Sequence, residues 1–200
     1  MITQFLKRFI FTLLVIPGLC RADSPLTSTT ISDAYKDIDM VVKAADKGKV
    51  TSEIARFLTS KDNSIDEKAA VINAVGWKFE GTEHAEQFCK RVYKKPLKDI
   101  KLDELDGDAL FCIGYLQALD DYFHPEKALP YLEAAQKKNE QSLTVALILA
   151  LAKAQSIMDS DDHCEMWNIV YRALNDKSLY QDMREGAKKI IRDYMILYKC

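Results

Sequence analysis

Three stretches of the chain resemble one another and recur at a nearly constant spacing. They are VINAVGWKFEGT at 71–82, LFCIGYLQALDD at 110–121 and LILALAKAQSIM at 147–158. The spacing of about 38 residues is typical of stacked helical hairpins. A hairpin of this length buries its apolar face only against its neighbours, so successive units must pack into one array. The spacing therefore predicts an all-α fold, in which antiparallel helical hairpins stack as a short solenoid.

The composition also favours helices. Only 7 of the 200 residues are Gly and 5 are Pro, the two residue types that most disfavour a helix interior. An irregular α-helical bundle, whose repeats reflect generic helix packing, is the alternative to a solenoid. From apolar periodicity and break residues, we expect helices at about 31–46, 50–59, 65–80, 83–95, 107–120, 125–138, 141–158, 163–175 and 179–198.

The first 22 residues have the layout of a secretory signal peptide. Lys7 and Arg8 precede an apolar run at 9–19, and a short polar exit follows it. This run is too short to span a bilayer. We therefore expect residues 1–22 to be removed by cleavage before Asp23, and the protein to be exported to the periplasm with no membrane span left.

The remaining residues, 23–200, have a length suited to one α-helical repeat domain, with the clearest repeats at about 65–175. Cys20 and Ala22 are small residues at the positions that a signal peptidase reads. An uncleaved anchor is one alternative. Lipidation of Cys20 is another, although Pro17-Gly18-Leu19 differs from the sequence that a bacterial lipoprotein signal requires.

Charge and motifs limit the possible functions. Removal of the signal takes away three of the 28 basic residues and none of the 30 acidic ones, so the formal net charge changes from −2 to about −5. A phosphate-backbone ligand favours the opposite sign, so we expect no nucleic acid partner. The chain has no nucleophile elbow, zinc-binding helix, phosphate-binding loop or dinucleotide fingerprint. We expect no enzyme activity, no catalytic residue, no cofactor and no metal.

An acidic cluster precedes the eighth expected helix. Carboxylates at a helix N-terminus are favourable, so we interpret the cluster as a solvated helix cap, with a hard-cation site as the alternative. Its members are Asp159, Asp161, Asp162, His163 and Glu165.

Four cysteines follow the signal, an even number that predicts disulfides in an exported chain. Cys89 lies on the second helix of one expected hairpin and Cys112 on the first helix of the next, and these helices pack side by side in a stacked array. We therefore expect Cys89 to pair with Cys112 and Cys164 with Cys200. The other two pairings remain open.

The middle unit carries the most specific family signal. Ile113-Gly114-Tyr115 lies on its first helix, and KALPYLEAA at 127–135 lies on its second. This unit resembles the tetratricopeptide class, and within it the Sel-one-like subclass. The first unit retains Val75-Gly76-Trp77, whereas the third has Ala152 in the glycine position.

The resemblance implies a concave face that binds a protein partner. Trp77, Phe111 and Tyr115 would form an aromatic anchor patch there, since aromatic residues dominate binding hot spots. The alternative is that at least two of these three belong to the core. The full set of expected partner-binding residues is Asn73, Trp77, Glu80, Asp108, Phe111, Tyr115 and Lys153.

The expected function is that of a periplasmic protein-binding module. In size, compartment and scaffold, the chain is similar to immunity proteins that neutralise secreted antibacterial effectors, including type VI effectors, by stoichiometric binding. An adaptor that assembles or regulates envelope proteins is the alternative. A hydrolase acting on cell-wall glycan or peptide is a third hypothesis, but no carboxylate pair stands out for it.

Overall fold

The computed structural model describes residues 24–160 and 162–200. The predicted signal peptide, the lipidation of Cys20 and one member of the acidic cluster, Asp161, lie outside these residues. Within them the chain folds into nine α-helices and no β-strand, which confirms the all-α prediction. The helices are α1 (Asp39–Lys47), α2 (Ser52–Thr59), α3 (Ile65–Val75), α4 (His84–Val92), α5 (Gly107–Asp120), α6 (Leu129–Lys138), α7 (Leu143–Ser156), α8 (His163–Asn175) and α9 (Glu185–Met195).

Several short 3-10 turns extend or connect these helices. They are Ile31–Tyr35, Leu97–Asp99, Leu102–Glu104, Pro125–Lys127 and Ile196–Tyr198. None of the helices in the described part of the chain combines the length and the hydropathy that a transmembrane span requires.

Short polar side chains set the starts of several helices. The Asp106 carboxylate accepts a hydrogen bond from the N–H of Ala109 at 2.9 Å, where α5 begins. Asp162 does the same for Glu165 at 3.0 Å, where α8 begins. Caps of this kind contribute about 1 kcal/mol each. The interpretation of the acidic cluster as a helix cap is thus confirmed for Asp162.

The central helix, α5, is buried on all sides. Every residue from Leu110 to Leu116 is buried, because α5 packs against α3, α4, α6 and α7. Gly114 allows the close approach of α6, since a Cβ at this position would lie 2.8 Å from Leu132 Cγ. The helix pairs α5 with α6 and α7 with α8 each pack together along the chain.

The segment expected to form the first repeat differs in structure from the segment expected to form the middle one. Gly76 has a positive φ of 81° and ends α3, whereas its counterpart Gly114 lies within α5. The helix expected at 65–80 therefore stops at Val75, because a residue with positive φ cannot continue a right-handed α-helix. In addition, α3 packs chiefly against α1, and α4 packs against α5.

One of the two expected disulfides is present. Cys164, near the start of α8, is bonded to Cys200, and their Cα atoms are 5.5 Å apart. This confirms the prediction for that pair. The expected bond between Cys89 and Cys112 is wrong, because both residues are buried free thiols. The Cys112 thiol is directed at the carbonyl oxygen of Leu58, 3.8 Å away in α2, and a shared helix interface does not by itself align two thiols.

Candidate functional site

Part of the predicted concave face, around Asn73, is covered by the chain itself. Residues 24–35 are here called the N-terminal strap. Three of its own side chains are buried, those of Leu26, Ile31 and Tyr35. The Leu26 N–H donates to the Gln155 side chain of α7, and the 3-10 turn of the strap packs on α3 and α9. The part of the expected binding surface that contains Phe111 and Tyr115 therefore belongs to the core.

Asn73 shows how this cover is fixed. Its amide oxygen accepts a hydrogen bond from the Ser32 N–H at 3.0 Å. Its amide nitrogen donates to the Thr29 carbonyl at 3.1 Å and to the Tyr115 hydroxyl at 3.0 Å. The side chain expected to meet a partner instead connects the N-terminal strap to α5.

Two of the three expected anchor residues lie in the core. Phe111 and Tyr115 are fully buried, and their ring centroids are 6.1 Å apart. Their placement on an exposed anchor patch is corrected here. The physical reason is that α5 is packed among α3, α4, α6 and α7. The alternative that at least two of the three belong to the core describes the structure.

Two more expected binding residues form ion pairs at separate places. The Asp108 carboxylate accepts a hydrogen bond from Lys68 at 2.6 Å, and the Lys68 side chain is almost fully buried. Lys153 pairs with Glu133 of α6 at 2.9 Å on the surface. The structure therefore does not bring the seven predicted residues together at one site.

The two remaining predicted residues, Trp77 and Glu80, mark a different site. The loop after α3 meets the corner that follows α5, and together they enclose a cleft of about 530 Å³. We call it the aromatic cleft. It is lined by Phe79, Glu80, Gly81, Thr82, Glu83, Asp120, Asp121, Tyr122 and Phe123.

Two exposed aromatic rings stand at the aromatic cleft. Phe79 is 68% exposed and Phe123 is 57% exposed. Their ring centroids lie 5.6 Å apart in an edge-to-face arrangement. Behind them, Tyr122 contacts Phe123 with a centroid distance of 4.3 Å and Trp77 with one of 4.9 Å. Large apolar side chains exposed next to each other are typical of a binding surface.

Asp120 holds the two walls of the aromatic cleft together. Its carboxylate accepts hydrogen bonds from the backbone N–H groups of His84 and Ala85, each at 2.8 Å. It also accepts one from the Thr82 hydroxyl, and its carbonyl oxygen accepts one from the Thr82 N–H at 3.0 Å. A carboxylate is stabilised at a helix N-terminus, so the end of α5 caps the start of α4.

Gly81 is required at the turn between the walls. It has φ of +82°, and an added Cβ would lie 3.0 Å from the carbonyl oxygen of Asp120. A side chain here would therefore oppose both the backbone conformation and the contact between the two loops. The local sequence thus positions Phe79 beside Phe123.

The charge of the aromatic cleft is negative. Four carboxylates line it and no basic side chain does. Asp120 is used in the capping described above, and Asp121 pairs with Lys127 at 2.7 Å. Glu80 and Glu83 are exposed and form no ion pair within the described part of the chain. The cleft therefore offers two carboxylates that can bind a positive group.

One polar group in the lining has no internal partner. Tyr122 is only 2% exposed, and its hydroxyl oxygen is buried without a hydrogen bond among the described residues. Burial raises the pKa of this hydroxyl, which stays protonated at neutral pH. A buried polar group left unpaired costs about 1–3 kcal/mol, and a ligand in the aromatic cleft could supply the missing bond.

The chemistry at the aromatic cleft suits binding. His84 is buried next to it, and burial lowers its pKa below the ordinary value. Its Nδ1 atom lies 3.2 Å from the Thr82 hydroxyl, but that hydroxyl donates to Asp120. No group of three or more His, Cys, Asp or Glu side chains is placed to hold a metal ion at the described positions.

The sequence contained a signal for this site that the repeat register obscured. The motifs Trp77-Lys78-Phe79 and Tyr122-Phe123 both fall next to turn residues, Gly81 in the first case and Pro125 in the second. Aromatic residues in loops often belong to contact surfaces, and here Phe79 and Phe123 are exposed, whereas Tyr122 is buried behind them. The expected helix at 65–80 includes Trp77 and Glu80, whereas in the structure both residues lie in the loop after α3.

Comparison with protein-family models, curated proteins and solved structures finds no match for this chain. Its function is therefore inferred from its own residues.

Proposed function

We propose that this chain is an exported protein-binding module of the periplasm that covers the surface of a protein partner through the aromatic cleft. The observation that carries the proposal is the exposed edge-to-face pair of Phe79 and Phe123 at the mouth of this cleft. Aromatic anchors of this kind dominate protein–protein binding energy. The partner proposed is a positively charged protein surface with apolar side chains, because the cleft combines exposed rings with unpaired carboxylates.

A tetratricopeptide-like stack of hairpins is proposed as the scaffold. The packing of α5 on α6, of α6 on α7 and of α7 on α8 supports it. The close contact of Gly114 with Leu132 supports it as well. In this scaffold the N-terminal strap fills the face that such arrays leave open, so the binding surface moves to the loops at one end of α3 and α5.

Export is supported by the layout of the first 22 residues and by the bond between Cys164 and Cys200. Disulfides persist in oxidising compartments such as the bacterial periplasm. This one closes a separation of 36 residues, for which loop entropy contributes about 4 kcal/mol. It joins α8 to the C-terminal end of the chain.

Within this class, we propose an immunity protein that neutralises a secreted antibacterial effector, such as a type VI effector, by stoichiometric binding. Stoichiometric cover needs a contact surface and no catalytic group, which is what the aromatic cleft offers. The alternative, an adaptor for envelope proteins, would use the same surface with resident partners.

The test is capture by the protein recovered from the periplasm, mixed with the secreted proteins and the envelope extract of the same strain. Captured proteins are identified by mass spectrometry, purified and titrated calorimetrically against the wild type and the Phe79→Ser/Phe123→Ser variant. We expect one partner with 1:1 stoichiometry, and at least about a hundredfold loss of affinity in the variant, since two anchors are removed. A secreted toxin as the partner would support immunity, and a resident envelope protein would support the adaptor.

The matched control is Tyr180→Ser/Leu197→Ser. These side chains are 73% and 69% exposed, so the control removes similar apolar surface away from the aromatic cleft. It should bind the partner like the wild type. Equal binding by the Phe79→Ser/Phe123→Ser variant would refute the proposed surface.

A further inference from the structure

We infer that the aromatic cleft recognises an arginine side chain of the partner. The inference rests on the proposed function and specifies the group that the cleft binds. It is carried by three features of the lining: open aromatic rings, two unpaired carboxylates, and a buried hydroxyl without a hydrogen bond.

The rings of Phe79 and Phe123 provide the stacking surface. They are perpendicular to each other, and both are more than half exposed. A planar guanidinium stacks on an aromatic face and is attracted by its quadrupole. An exposed contact of this kind strengthens binding about two- to fivefold, and more once water is excluded.

The chain contains an internal example of the same geometry. The guanidinium carbon of Arg184 lies 4.4 Å from the centroid of the Tyr35 ring. The same guanidinium donates to the carbonyl of Ala34 at 3.1 Å and to the carboxylate of Asp37. Arginine is thus held by an aromatic face, a carboxylate and a neutral oxygen at once. The aromatic cleft presents the same three kinds of group, and its lining contains no lysine or arginine of the described residues.

The available acceptors fit the donors of arginine. Glu80 and Glu83 supply carboxylates, whereas the charge of Asp121 is already paired with Lys127. The Tyr122 hydroxyl oxygen has no partner among the described residues and can accept one N–H. Arginine carries five N–H donors in a rigid plane. Lysine has a compact ammonium that cannot stack in this way, so arginine suits the cleft better.

The size of the cleft agrees with this ligand. Its volume of about 530 Å³ is within the range of about 300–1,000 Å³ typical of ligand pockets. It has room for one arginine side chain and part of an apolar neighbour beside Phe79 or Phe123.

The test uses isotope-labelled protein recovered from the periplasm and three probes that differ in one side chain. The probes are N-acetyl-arginyl-leucine amide, its lysine analogue and its citrulline analogue, which keeps the shape of arginine without the charge. We expect the arginine probe to shift the backbone NMR signals of residues 79–83 and 121–123, with a Kd of about 1 mM. The citrulline probe should bind at least about tenfold more weakly and the lysine probe about threefold more weakly, because only arginine combines charge with a stacking plane.

Two variants separate the contributions. Glu80→Gln/Glu83→Gln should lower the affinity for the arginine probe about tenfold and leave the affinity for the citrulline probe unchanged. Tyr122→Phe should lower the affinity for the arginine probe severalfold, since this variant keeps the ring and loses one hydrogen bond. Equal affinity for arginine and citrulline, equal affinity for arginine and lysine, or no shift in residues 79–83 at about 20 mM probe would overturn the inference.

The outcomes also distinguish the inference from the proposed function. If the partner protein depends on Phe79 and Phe123 but the arginine probe does not bind, the inference fails and the binding surface stands. If the arginine probe binds but the Phe79→Ser/Phe123→Ser variant captures the partner normally, the proposed surface fails.

Discussion

Asp120 and His84 are 36 residues apart in the sequence, and the Asp120 carboxylate accepts a hydrogen bond from the backbone N–H of His84 at 2.8 Å. This bond, with those to Thr82 and Ala85, connects the end of α5 to the start of α4. It also fixes the loop that carries Phe79 against the corner that carries Phe123. One buried carboxylate therefore connects the two loops that form the aromatic cleft.

Asp120→Asn should destabilise the protein by about 2–3 kcal/mol, because hydrogen bonds to a buried charged acceptor are lost and an amide N–H₂ meets a backbone N–H donor. The free energy of unfolding is measured by urea denaturation. Asp121→Asn is the control, since Asp121 pairs with the exposed Lys127 and should cost at most about 1 kcal/mol. Equal stability of the two variants would contradict the capping role of Asp120.

Gly81→Ala should cost more than Gly48→Ala. Both glycines have positive φ, 82° for Gly81 and 53° for Gly48. For this reason either substitution should lower the free energy of unfolding by about 1 kcal/mol. Only Gly81 has a second problem, because its added Cβ would lie 3.0 Å from the Asp120 carbonyl oxygen, whereas the nearest atom to Gly48 is 4.0 Å away. We expect Gly81→Ala to lower the free energy of unfolding by about 1 kcal/mol more than Gly48→Ala, as measured by urea denaturation. A larger loss at Gly48 would contradict the close approach of the two loops.

Local patterns predicted the helices well, and long-range contacts explain what they missed. The expected ranges 107–120 and 163–175 match α5 and α8, because a capping Asp precedes each apolar periodic segment. Gly76 was ambiguous, since a glycine can either admit a neighbouring helix or end its own. Only the three-dimensional structure shows that it does the latter.

The candidate site was harder to predict than the fold. Phe111 and Tyr115 are buried because α3, α4, α6 and α7 pack around α5. The Tyr115 hydroxyl, for example, bonds with Asn73, which is 42 residues away in sequence, so no local pattern contains this burial. The aromatic cleft likewise forms from two loops that are joined by Asp120. Helical periodicity predicts Trp77 and Glu80 on the concave face of a helix. Because α3 ends at Val75, both residues lie in the following loop, next to the cleft.

Asn73→Ala should destabilise the protein by about 2–3 kcal/mol, because three hydrogen bonds are lost and the groups left behind are largely buried. The local effect should be faster hydrogen exchange at the N–H of Ser32, which Asn73 now protects. Asn175→Ala is the control, as Asn175 is exposed and donates one bond to the Tyr171 carbonyl. Unchanged exchange at Ser32 would show that Asn73 does not hold the N-terminal strap.

Cys89 and Cys112 should not react with a thiol reagent in the native protein. Both are buried, and burial raises the pKa of each thiol to about 12, so the reactive thiolate is scarce at neutral pH. In protein recovered from the periplasm, from which signal cleavage would have removed Cys20, unfolding without reductant should expose two free thiols, and unfolding with reductant four. A mass map under non-reducing conditions should find Cys164 bonded to Cys200. Detection of no free thiol in the unfolded protein would indicate a second disulfide and contradict the structure.

The free energy of unfolding should fall as the pH drops below about 6.5, and His84 should cause this fall. Burial is the main reason that the pKa of His84 is lowered, and the nearby Asp120 carboxylate opposes the shift. Because the folded pKa is depressed, the unfolded state binds the proton first. The contribution of His84 is complete above the unfolded pKa of about 6.5 and is lost as the pH falls toward the folded pKa.

The free energy of unfolding should change with pH by no more than about 1.4 kcal/mol per pH unit, which is the limit for one proton. Urea denaturation at about pH 7.5 and about pH 5.5 measures it, in a window above the range in which most carboxylates titrate. His84→Gln should remove the fall, since Gln has no titratable group and can still donate to the Gly48 carbonyl that His84 contacts. His124→Gln, at an exposed histidine, should behave like the wild type. If His84→Gln loses as much stability as the wild type between these pH values, the fall arises elsewhere in the chain and His84 is not its source.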